Sequence, residues 1–126
     1  MAADDRECGA AVVEYVLVSI LLVIVFLAVV QIALVIHTRD VLVADAAEGA
    51  RTAALRDSGL SAGERACTEL VRHAVGGVAQ APCSGSYEGL APRLVRMRVS
   101  ASVPLLFVPG GHVRLDVSAR ALREPG

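Results

Sequence analysis

Hydrophobic and polar positions divide the chain into three stretches of different character. From Tyr15 to Ile36 no residue is charged, and Ser19 and Gln31 are its clearly polar members. A helix rising about 1.5 Å per residue covers about 33 Å over that run. Bilayer hydrocarbon is about 30 Å thick, so the run predicts a single membrane-crossing helix. A cleaved secretory signal would have a basic start, a shorter apolar stretch and a small-residue cleavage site. Here the start is acidic (Asp4, Asp5, Arg6, Glu7), the run is longer, and His37-Thr38-Arg39 follows it.

No turn signal interrupts the chain between Ile36 and Asp57, so the helix is expected to continue beyond the apolar run. Val43, Ala47, Ala50 and Ala54 share one helical face, while Asp45, Glu48, Thr52 and Arg56 share another. The alanine-rich face suits close helix packing, either between subunits or onto this chain's own C-terminal domain. Gly49, which lacks a side chain, would admit a close neighbour or a bend.

Asp57-Ser58-Gly59 ends this helix. Ser61-x-x-Glu64 has the form of a capping box. A second, short helix follows, with Cys67, Leu70, Val71 and Ala74 on one face and Gly76-Gly77 as its stop. Residues 80–92 are rich in Pro, Gly and Ser and are predicted as loop. Two alternating stretches then predict half-buried strands. In the first, Val95, Met97, Val99, Ala101 and Val103 alternate with arginine and serine; in the second, Val113, Leu115, Val117 and Ala119 do the same with Arg114, Asp116, Ser118 and Arg120. Pro109-Gly110-Gly111 between them predicts an antiparallel hairpin. Leu105 to Val108 are too apolar for free solvent; the expectation is that they cap the core, with a partner or the membrane as the other readings. One hairpin cannot stand alone, so it must pack on a helix. The predicted class is α+β: a long N-terminal helix, a short second helix and a C-terminal antiparallel hairpin.

With 126 residues the chain has room for one domain beyond the membrane segment. Its net charge of −1 gives no field to attract nucleic acid, and 3% aromatic content excludes base-stacking platforms. All 12 cationic side chains are arginine, as coding bias in a G+C-rich genome produces. Arg6 precedes the apolar run while Arg39 and Arg51 follow it, so positive charge does not orient the helix. Cysteine does more. Cys67 and Cys83 are spaced for a disulfide, which requires an oxidising compartment; two buried free thiols are the other reading of the pair. Cys8 is left over, and the polar residues before it give no lipobox.

Glu14 is a carboxylate at the mouth of the apolar run, where it costs a few kcal/mol unless paired or held at the interface. It marks either the start of the membrane helix or a group that needs a cation. The residues around it, Gly9-Ala10-Ala11-Val12-Val13-Glu14-Tyr15 and then the apolar helix, resemble the prepilin-type leader of type IV pilins. Glu14-Tyr15 resembles the Glu-Tyr pair of the Flp branch. Ala46 to Ala54, with Gly49-Ala50-Arg51 at its centre, resembles the corresponding stretch of TadE-like proteins, pseudopilins of the tight-adherence system. Together these cover roughly residues 9 to 55. Two features depart from the pattern: the leader is acidic, and Ser19-Ile20 stands in a region that often holds proline. The resemblance implies a leader over 1–9 cut by a prepilin peptidase between Gly9 and Ala10, a membrane helix over 10–36, an extracytoplasmic extension over 37–57 and a small outer domain over 58–126. It also implies that Glu14 and Tyr15 serve assembly, with the freed α-ammonium of a neighbouring subunit as the cation for Glu14. Implied partners are the membrane, other pilin-like subunits and the pilus or secretion assembly proteins.

No residue pattern points to catalysis, a cofactor or a metal. His37, His73 and His112 are scattered, and no spacing fits a zinc site. The arginines at 96, 98, 114 and 120 read as a solvated strand face. The expected function is therefore assembly of a tight-adherence pilus or related apparatus by helix packing, in the cell membrane, with the N-terminus cytoplasmic. The alternative is a single-pass anchored envelope domain that binds a partner and never enters a filament.

Overall fold

The computed structural model describes residues 2–75, 81–89 and 94–123, with side chains from residue 7 onward. Two compact units emerge, Met1–Leu34 and Val35–Gly126. Helix α1 (Ala2–Ala54) supplies the first unit and begins the second. α2 (Leu60–Val75) follows, then strands β1 (Cys83–Glu88), β2 (Leu94–Pro104) and β3 (His112–Leu122). The architecture is α+β, as the pattern predicts.

In the first unit many residues are β-branched, which disfavours helix in water. Lipid reverses that preference, because every backbone group must then be bonded within the segment. The hydroxyl of Ser19 follows the same rule and donates to the Tyr15 carbonyl at 2.8 Å. A helix long and apolar enough to cross a membrane lies within Glu7–Ala54.

The second unit holds the core. α2 runs back along the end of α1, because Gly49 meets both Gly63 and Cys67 while Ala53 meets Gly63. A Cβ built on Gly49 would fall 2.5 Å from the Cys67 Cβ and 3.0 Å from the Gly63 carbonyl oxygen. The two glycines are thus what lets the helices approach. Leu42, Ala46, Ala50, Ala53 and Ala54 are buried on α1. This corrects the predicted face: Ala50 and Ala54 lie on it, but Val43 is exposed and Ala47 half-buried. Of the open alternatives for this segment, packing on the chain's own domain is the one seen.

The strands form one antiparallel sheet in the order β1-β2-β3. Cys83 pairs with Val99 and Glu88 with Leu94; Leu94 pairs with Leu122 and Pro104 with His112. The predicted hairpin is β2–β3. β1 corrects the expected loop over 80–92: residues 83–88 of it are strand, while its ends at 80 and 90–92, like Gly76-Gly77, lie outside the described residues. Val95, Met97, Val99 and Ala101 face inward as their alternation predicts, and Val117 joins them from β3. α2 covers that face with Cys67 and Val71; Leu70 and Ala74, predicted on the same face, are exposed.

Two ties hold β1 to α2. Cys67 and Cys83 form the disulfide, with Cα atoms 6.0 Å apart. The backbone amide of Gly85 donates to Glu64 Oε1 at 2.7 Å. That bond overturns the capping-box reading: α2 starts at Leu60, the amides of Ala62 and Gly63 donate to the Gly59 carbonyl, and Glu64 is spent on the sheet. On the outer face Arg96 and Arg120 sit directly opposite one another, a repulsive arrangement. Glu88 bridges them, at 2.7 Å to Arg96 and 3.2 Å to Arg120.

Asp45 is half-buried on α1, and its Oδ2 has no hydrogen-bond partner among the described residues. Burial raises its pKa above the ordinary 3.8. The folded state therefore holds this proton more tightly than the unfolded chain. The associated stability is complete below the ordinary value and is lost as pH rises through the raised one. Asp45→Asn is expected to raise the melting temperature of the full chain in detergent at neutral pH, with the gain shrinking as pH falls toward 4 (about the ordinary carboxyl value). Parallel melts of the two proteins across pH check this.

Candidate functional site

Gly9, Ala10, Glu14 and Tyr15 all lie on α1, within four turns of its start. Glu14 is exposed, and Tyr15 is 74% exposed. Ala10 and Glu14 are four residues apart and so share a face, separated by about 6 Å along the axis. A Cβ added at Gly9 would meet nothing within 4 Å. Gly9 thus costs helix stability, about 1 kcal/mol relative to alanine, without serving any contact among the described residues.

After Tyr15 every residue from Val16 to Phe26 except Ser19 is an exposed large hydrophobic. Consecutive exposed positions occupy all faces of a helix, so over this stretch the helix is apolar all round and exposed all round. In water that is unstable; such a helix belongs in lipid or among other helices. The exposed free thiol of Cys8 precedes Gly9.

The remaining sequence-level candidates do not converge. Cys67 and Cys83 are joined as expected; Cys67 is fully buried, while Cys83 lines an open surface cleft beside Glu64, Thr68 and Arg72 of α2. Among the described residues no cluster of three or more His, Cys, Asp or Glu side chains is placed to hold a metal. His112 Nδ1 lies 2.8 Å from the Gly110 carbonyl oxygen, a contact local to its turn. Leu105 to Val108 are the one candidate that moves: Leu106, Phe107 and Val108 are 67%, 48% and 53% exposed, not core-capping as the sequence suggests. Hydrophobicity alone could not tell a core plug from an exposed tip, since both are read from the same residues.

Among the described residues, fold and site define a chain with an apolar helix of membrane-crossing length, exposed all round over residues 16–26, that leads into a small disulfide-linked α+β domain. Residues 9–51 match the family of TadE-like proteins, over the stretch on which the resemblance rests. The match starts at Gly9, takes in Ala10, Glu14 and Tyr15, and ends at Arg51 of Gly49-Ala50-Arg51. No curated protein and no solved structure matches the chain.

Proposed function

We propose that this protein is a pseudopilin-like subunit that acts in assembly of a tight-adherence (Flp-type) pilus or related secretion apparatus, by helix packing and without catalysis. The observation that carries the reading is the all-round apolar helix of α1 opening on Glu14, inside the TadE-like match. Lipid satisfies the helix until neighbouring subunits replace it. Lipid cannot satisfy Glu14.

A cut between Gly9 and Ala10 by a prepilin peptidase supplies what Glu14 lacks. It removes Glu7 and Cys8 with the leader and leaves an α-ammonium on Ala10. Gly9 has no packing role, which fits a residue kept for recognition by the peptidase. Pairing Glu14 of one subunit with the amino terminus of the next requires an axial offset of four residues, about 6 Å. The ion pair would then fix register between helices that otherwise present only interchangeable apolar surface. Tyr15 lies beside it. The Cys67–Cys83 bond supports an oxidising compartment for the outer domain, and hence a cytoplasmic N-terminus.

Intact-mass measurement of the protein recovered from membranes of its own host tests the reading. The expected mass is that of a chain beginning at Ala10. A mass beginning at Met1 or Ala2 would favour an anchored envelope domain that never assembles.

A further inference from the structure

The tip of the β2–β3 turn is a run of three consecutive exposed apolar residues outside α1. Phe107 and Val108 are 48% and 53% exposed, and Leu106 beside them is 67% exposed. The turn is not frayed. The Leu105 amide donates to the Gly111 carbonyl and the Gly111 amide to the Val108 carbonyl, both at 2.8 Å. Gly110 takes the left-handed φ of 75° that closes it. An ordered turn thus holds a phenylalanine and a valine outward.

The topology of the second unit fixes the end of the domain at which this tip lies. Gly49 of α1 touches Cys67 of α2, Cys67 is bonded to Cys83 of β1, and Cys83 pairs with Val99 of β2. These four residues mark one level. α2 runs back along α1, so Glu64 lies on the side of Cys67 toward the end of α1. Gly85 is bonded to Glu64, so β1 leaves the common level in that same direction. β2 is antiparallel to β1 and runs the opposite way, toward the start of the second unit. From Val99 to Pro104 it advances five residues, about 17 Å at strand rise. From Gly49 back to Ile36, where the apolar run ends, α1 covers thirteen residues, about 20 Å at helix rise. The turn beyond Pro104 therefore lies at the end of the domain that faces Ile36 and His37, where apolar residues of α1 give way to polar ones.

We propose that the β2–β3 turn is a second membrane contact, entering the interfacial layer of the bilayer through Phe107 and Val108. This rests on the reading of residues 15–36 as membrane-spanning. An aromatic and a branched aliphatic side chain on a fixed turn suit the boundary between headgroups and acyl chains. His112 and Arg114, the latter exposed on β3, follow the tip as polar flanks facing the headgroups. A domain held at two points would be kept from turning freely about its helix, so its outer sheet face would be presented in one orientation.

The chain contains no tryptophan, so a single one reports its own surroundings. Phe107→Trp in the full chain is reconstituted into phosphatidylcholine vesicles with plain or brominated acyl chains, and vesicle flotation is measured alongside. Tyr87→Trp, near the far end of the sheet, is the reference. The expected result is a blue-shifted emission for Phe107→Trp and at least a two-fold quenching by brominated lipid, with Tyr87→Trp unquenched in the same vesicles. If the protein floats with the vesicles but Phe107→Trp is unquenched, the second contact is refuted while the membrane helix stands. Blue-shifted yet unquenched emission refutes it too, and assigns the tip to another protein surface, such as a second copy. If the protein fails to float, the membrane-spanning reading itself falls, and the proposal with it.

Discussion

Replacing Gly49 by alanine should destabilise the outer domain by about 3 kcal/mol, and by valine more, near the upper end for overpacking. The direction is opposite to what helix propensity gives, since alanine within a helix is worth about 1 kcal/mol over glycine. Geometry decides between them. The new Cβ would sit 2.5 Å from the Cys67 Cβ and 3.0 Å from the Gly63 carbonyl. Neither neighbour is the end of a flexible side chain. Cys67 is held by its bond to Cys83, and Gly63 O belongs to the backbone of α2. α1 and α2 would have to separate, opening the core that Ala46, Ala50 and Ala53 close. For a domain of this size the melting temperature should fall by more than about 10 °C, measured by circular dichroism on the full chain in detergent. Gly9→Ala is the control, because nothing lies within 4 Å of its added Cβ, and it should leave that transition where it is. Equal melting temperatures for Gly49→Ala and the parent would mean the two helices do not cross at this glycine pair.

The ease with which each element reads from sequence follows its contrast between apolar and polar positions. The membrane run and strands β2 and β3 have strong contrast and are legible. The end of α1 has little: alanine occurs on nearly every face between Ala44 and Ala54, so periodicity placed Val43 and Ala47 inward where the fold buries Leu42 and Ala46. Gly49 was the better guide, because the smallest residue marks the closest approach. β1 has almost no strand signal. Its Cys-Ser-Gly-Ser composition is that of a turn, and it is strand because β2 offers it an edge while Cys67 and Glu64 hold it there. Glu64 shows the same tertiary override: Ser61-x-x-Glu64 is a local capping pattern, but the Gly85 amide competes for the carboxylate and wins. In the candidate site, Gly9, Ala10, Glu14 and Tyr15 are legible as a pattern along one short stretch. That the helix just beyond them is exposed on every side as far as Phe26 is a property of the fold, which no local motif carries.

The second large effect is expected at Glu14. Glu14→Ala should leave the protein in the membrane fraction and its outer domain folded, since Glu14 belongs to the first compact unit and the outer domain to the second. Assembly is what should fail. In the assembled apparatus the neighbouring α-ammonium would be left buried without a counter-charge, a loss of about 3–5 kcal/mol per contact. That corresponds to more than about a hundredfold weaker association per contact, multiplied along a filament. Glu14→Gln, which keeps the shape and one hydrogen-bond acceptor but no charge, should fall between the two. Comparing cell-surface or sheared-filament yield of the parent and the two variants with their amounts in the membrane separates assembly from insertion. Normal assembly of Glu14→Ala would remove the ion pair from the account.

The most direct measurement uses the chain's lack of lysine. Every cationic side chain is arginine, so the α-amino group is the chain's one primary amine. A membrane-permeant carbodiimide condenses a carboxylate with an adjacent amine, forming an amide as the reagent takes up the elements of water. Applied to native membranes, it should join the Glu14 side chain to the amino terminus of a neighbouring subunit, seen by mass spectrometry as a linked peptide beginning at Ala10. Recovery of Glu14 as an unlinked carboxylate or reagent adduct, in membranes where the apparatus is assembled, would contradict the account.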